Sequence, residues 1–90
     1  MEKDLEILRS ILMELKYTPH YIDILINHVK KEFEKSTLGR ITSNFLYAVL
    51  LFEEGRSIAR DIADYFEDYK KKGSFKTKIQ NHLDTSRWMK

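Results

Sequence analysis

The chain has no cysteine, one proline and three glycines among its 90 residues. Without cysteine there is no disulfide scaffold, no thiolate-ligated zinc, no iron–sulfur cluster and no thiol nucleophile. The fold must therefore rest on one apolar core, and a chain of this length has room for a single small domain, residues 1–90. Gly39, Gly55 and Gly73 stand alone, so neither a Gly-x-Gly pattern nor a Gly-Lys-Ser/Thr loop is there to cradle a phosphate. Long apolar runs are also lacking. The longest, Phe45–Phe52, has eight residues against the ~20 that a membrane-spanning helix needs. Met1 leads into Glu2-Lys3-Asp4 rather than into a basic stretch followed by an apolar one, so no secretory signal is expected. These absences predict a cytoplasmic protein, not a membrane protein.

Pro19, Gly39, Gly55 and Gly73 fall between periodic segments, where helix boundaries place such residues. Leu5, Leu8, Leu12 and Leu15 recur at spacings of three and four, flanked by Ile7 and Ile11, and predict an amphipathic helix over about residues 3–16. Thr18 before Pro19 joins a capping hydroxyl to the residue best suited to the first helical position, predicting a second helix over about 19–35. Its apolar side is Ile22, Leu25, Ile26, Val29 and Phe33. Phe45–Phe52 is apolar on every side and predicts a buried central helix over about 40–54, ended by Gly55 in a left-handed cap. A strand is the rival for such a run, but nothing else in the chain alternates with period two to pair with it. Ser57 is the expected cap of a fourth helix over about 57–72, with Ile58, Ala59, Ile62, Ala63, Tyr65, Phe66 and Tyr69 facing inward. Phe75, Ile79 and Leu83 predict a short fifth helix over about 75–84, followed by a tail, 85–90. The expected architecture is all-α: one small antiparallel bundle of four main helices with the short C-terminal helix across one end.

Candidate chemistry is sparse. His20, His28 and His82 do not form the i, i+4 pair that brings two imidazoles to one metal. Asp61, Asp64 and Asp68 form a carboxylate stripe that a divalent cation would suit only with further oxygen ligands, and their spacing fits a solvated helix face with Arg60 pairing to Asp64. No serine has the context of an activated nucleophile. Neither enzymatic activity, nor a metal, nor a cofactor is expected.

Charge carries the strongest signal. Residues 1–69 hold 9 basic and 13 acidic side chains, a net of −4, whereas residues 70–90 hold 7 basic and 1 acidic, a net of +6. Lys70, Lys71, Lys72, Lys76 and Lys78 cluster around Gly73, with Arg87 and Lys90 beyond. Three lysines at the end of a helix are accounted for by its dipole; seven cations are not. Each one set on a phosphate would release a counterion. Residues 57–84 resemble a helix-turn-helix, in which small residues on a first helix, here Ala59 and Ala63, let a short second helix cross it. The 16 positions from Ala63 to Ile79 exceed the compact prokaryotic form of that motif. The resemblance implies that Lys76, Thr77, Gln80 and Asn81 face the bases, with Ser74 offering its hydroxyl and the first backbone N–H groups to a phosphate. Lys70, Lys71, Lys72, Lys78, Arg87 and Lys90 would sit on the backbone. The expectation is a small nucleic-acid-binding protein, DNA before RNA, acting as a regulator or accessory subunit in replication or transcription. Single-strand stacking on Tyr69, Phe75 and Trp88 is a variant of it.

The alternative is a bundle that binds protein, as an adaptor, an inhibitor or an immunity-type protein. The wide apolar arc of the first helix could serve self-association or a larger partner. Tyr21-Ile-Asp-Ile-Leu through Phe33-Glu-Lys, with Ile41 to Phe52 after it, resembles the middle helices of the small immunity proteins that protect producers of pediocin-like bacteriocins. That resemblance covers residues 21–52 and implies a soluble helical bundle that acts through another protein.

Overall fold

The computed structural model describes residues 2–72, and among them are four helices and no strand. Helix α1 spans Glu2–Glu14, α2 Pro19–Lys35, α3 Ser43–Glu54 and α4 Arg56–Lys72. The expected fifth helix and tail lie outside the described residues.

Each boundary has a local cause. Helix α1 ends two residues sooner than its apolar period suggests, because the chain turns off in a Schellman motif. Lys16 takes a left-handed φ of 71°, its N–H donates to the Met13 carbonyl at 3.0 Å, and the Tyr17 N–H donates to the Leu12 carbonyl at 3.2 Å. A lysine at a position usually held by glycine hides this turn from the sequence. Helix α2 starts as expected, with the Thr18 hydroxyl accepting from the Tyr21 N–H and Pro19 in the first turn. Helix α3 begins at Ser43, not near residue 40, because Thr42 adopts extended backbone and its hydroxyl accepts from the Phe45 N–H at 3.1 Å. Ile41, just before it, is buried as part of the connection.

One residue joins α3 to α4. The Gly55 N–H donates to the Leu51 carbonyl and its own carbonyl accepts from the Ala59 N–H, both at 2.9 Å, so the same residue closes one helix and opens the next. Its φ of 89° with ψ of 160° lies outside the left-handed helical region expected for it, in a region that glycine alone visits readily. Gly55 thus replaces Ser57 as the cap, and Ser57 lies inside α4.

The helices run up-down-up-down. Asp4 at the start of α1 meets Lys70 at the end of α4, Tyr21 at the start of α2 meets Glu54 at the end of α3, and Ser43 at the start of α3 meets Glu67 of α4. Helix α1 packs on α2 and α4, and α3 packs on the same two, most extensively on α4. The core is built from Leu8, Ile11 and Leu12 of α1, Ile22, Leu25 and Val29 of α2, Leu46 and Leu50 of α3, and Ile62, Tyr65 and Phe66 of α4.

Helix α3 departs most from expectation. Only Leu46 and Leu50 of its twelve residues are buried. It is a wall of the bundle, not its centre.

Candidate interaction surfaces

The basic end can be followed as far as Lys72. Lys70, Lys71 and Lys72 form the last turn of α4, where the helix dipole favours cations. The Lys70 ammonium donates to Asp4 Oδ1 at 2.9 Å and stands 5.7 Å from the centre of the Phe66 ring. Asp4 is the one buried charged residue among those described, so this lysine ties the last turn of α4 to the first turn of α1. Lys71 pairs with Glu67 one turn back at 3.4 Å, while Lys72 is exposed. Of the three lysines expected on phosphates, Lys70 is thus held across the bundle, while Lys71 makes only an exposed pair along its own helix. Ser74, Lys76, Thr77, Lys78, Gln80, Asn81, Arg87 and Lys90 lie outside the described residues, as does the crossing that the helix-turn-helix resemblance requires. Ala59 and Ala63 are buried in the α4 face.

The other candidates resolve as follows. The apolar arc of α1, from Leu5 through Leu15, is buried in the chain's own core, with Met13 left exposed on the far side. That arc is not available for self-association. The Arg60 guanidinium lies 4.9 Å from the centre of the Tyr47 ring. Among the described residues no group of three or more His, Asp or Glu is placed to hold a metal. No described helix is long and apolar enough to cross a membrane.

A polar cluster that the sequence did not announce closes the opposite end of the bundle. Tyr17 and Tyr21 stand on either side of Pro19 with ring centres 5.6 Å apart, and both hydroxyls donate to the Glu54 carboxylate, Tyr17 to Oε1 at 2.6 Å and Tyr21 to Oε2. Burial first, and then the bond to Glu54, pushes the Tyr17 hydroxyl far above the ordinary phenol range. For Tyr21 the bond to Glu54 comes first, and the hydroxyl is pushed up to about 12. A phenol raised above its unfolded value near 10 stabilises the fold below that pH and loses the contribution as the pH rises through the folded value. The urea midpoint is therefore expected to fall between about pH 10 and 12, and to fall less in a Tyr17→Phe/Tyr21→Phe variant. Equal losses in the two proteins would remove Glu54 from the alkaline limit.

Among the described residues the most exposed large apolar side chain is on α3. Phe52 is 90% exposed. With Phe45, Ala48 and Val49 it forms a row at i, i+3, i+4 and i+7, about a third of a turn round the helix from the buried Leu46–Leu50 stripe. The row lines a groove of about 370 Å³ between α3 and α2, with His28, Glu32 and Glu53 at its margins. Phe33 of α2 meets Phe45 edge to face, ring centres 5.9 Å apart, and sets one end of the groove. Sequence reading missed this surface because hydrophobicity all round a helix signals burial all round it.

No family model matches this chain, and no curated protein or solved structure matches it.

Proposed function

We propose that this protein is a non-catalytic binding module, an adaptor, inhibitor or immunity-type protein, that engages a protein partner on the α2–α3 face. The single observation that carries this reading is the open row on α3. A helix of twelve residues buries only two of its side chains and leaves Ala48 and Phe52 exposed, with Phe45 and Val49 half-buried against the core beside them. Amphipathic helices dock into such grooves through apolar anchors at i, i+3, i+4 and i+7. The sequence-level resemblance of residues 21–52 to proteins that act through another protein points the same way. An aromatic anchor at the middle of an interface is commonly worth 2 kcal/mol or more, about thirtyfold in affinity. Phe52→Glu should therefore abolish capture of a specific partner from an extract of the cells that express the protein, and should weaken binding of that purified partner by about thirtyfold or more. Folding stability should stay within about 0.5 kcal/mol, as for an exposed site. Unchanged affinity in the variant would remove α3 as the binding surface.

A second reading, nucleic-acid binding through the basic C-terminal residues, is favoured by the net +6 of residues 70–90. Lys71, Lys72, Lys76, Lys78, Arg87 and Lys90 would carry the phosphate contacts, since Lys70 is held by the buried Asp4 whereas the Lys71 pair with Glu67 is exposed. Fluorescence anisotropy with mixed-sequence DNA and RNA should then show a log–log salt slope of about −3 to −5. Reversing Lys76 and Lys78 should cost about 1 kcal/mol per lost contact with helicity unchanged. Binding that survives the double reversal would overturn this reading.

A further inference from the structure

We propose that the resting occupant of the α2–α3 groove is this chain's own C-terminal segment, residues 75–83, so that a partner must displace it. The inference rests on the reading of that groove as the binding surface. The first support is where the described chain ends. Helix α4 finishes at Lys72, at the end of the bundle that carries the N-terminus of α3, as the 3.2 Å bond from the Ser43 hydroxyl to Glu67 shows. Eighteen residues follow. At about 3.3 Å per extended residue, the three steps from Lys72 to Phe75 reach about 10 Å and the seven to Ile79 about 23 Å, against a length of ~18 Å for α3.

The second support is charge. Residues 73–90 carry four basic side chains and one acidic, whereas the groove has Glu53, 4.0 Å from the His28 imidazole, and Glu32, which shares its charge with Lys35 at 3.5 Å, at its margins. The apolar patterns also match in length. Phe75, Ile79 and Leu83 recur at i, i+4 and i+8, against a row on α3 that spans Phe45 to Phe52. Finally, a tethered segment can be held by these four side chains alone, whereas a free partner must extend its contact beyond them, because the linker sets an effective concentration of about millimolar.

The absence of cysteine gives a clean test in the full-length chain. Val49→Cys paired with Ile79→Cys is oxidised in dilute solution and compared with Ser10→Cys paired with Ile79→Cys; Ser10 is exposed on α1. The expected result is an intrachain disulfide that closes roughly tenfold or more faster with Val49→Cys, independently of protein concentration, as for a docked tether. Equal closure rates, or no closure in either protein, would overturn the proposal. Disulfide-linked dimers as the main product would also overturn it and assign the groove to a second copy. The cross-link reports on the tether alone, so its failure with Phe52-dependent partner binding intact would leave the proposed function standing.

Discussion

Phe66→Ala is expected to destabilise the fold by about 3–5 kcal/mol, as for the truncation of an enclosed phenylalanine. Phe66 is 2% exposed and lies on the face of α4 turned to the core. Its ring also supports the ammonium of Lys70, which in turn neutralises the buried Asp4. Truncation therefore leaves a cavity and loosens the ion pair that joins the first and last described turns. Small domains hold only about 5–15 kcal/mol in total. A loss of this size should lower the thermal midpoint by about 12–40 °C, at the 4–8 °C per kcal/mol typical of such chains. Phe52→Ala, the same change on the exposed face of α3, should alter stability by no more than about 0.5 kcal/mol. Urea unfolding of the two variants checks the assignment. Similar losses in both would mean that α3 is enclosed and the proposed binding face does not exist.

Gly55→Ala is expected to cost about 1–3 kcal/mol, although a methyl group there would meet no atom within 4 Å. The cost is torsional. A φ of 89° with an extended ψ disfavours any L-residue, and the position cannot relax freely. Its N–H closes α3 and its carbonyl opens α4, so a change in either dihedral swings one of the two helices that share the largest contact in the bundle. D-alanine at position 55, introduced by chemical ligation, prefers positive φ and should restore most of the loss. Gly39→Ala is the control: it too has open space around it, without a positive φ, and should be close to neutral. If Gly55→Ala were as mild as Gly39→Ala in urea unfolding, the one-residue junction would not constrain the α3–α4 angle.

The sequence by itself determined the four helices and, for most of them, the inward face. Leu5 through Leu15, Ile22 through Val29 and Ile62 through Phe66 repeat with the helical period and are buried as that period requires. Thr18 with Pro19 announced the start of α2 to the residue, because a hydroxyl cap and a residue without an N–H act through local chemistry alone. Where a boundary depends on a conformation that its residue type does not favour, as at Lys16, the sequence was silent. Charge segregation was equally plain in the sequence, yet it could not tell that Lys70 reaches across to Asp4, 66 residues away.

Only the tertiary structure decided what α3 does with its apolar surface. Eight consecutive apolar residues say that a helix prefers to leave water, not which neighbours are there to cover it. Helix α4 covers the Leu46–Leu50 stripe and α2 packs beside Phe45, while Phe52 remains 90% exposed. The same holds for Glu54, whose two tyrosine partners lie 33 and 37 residues away along the chain. Periodicity is a property of one helix, whereas a surface or a polar cluster belongs to the angles and distances between helices, which no single segment encodes.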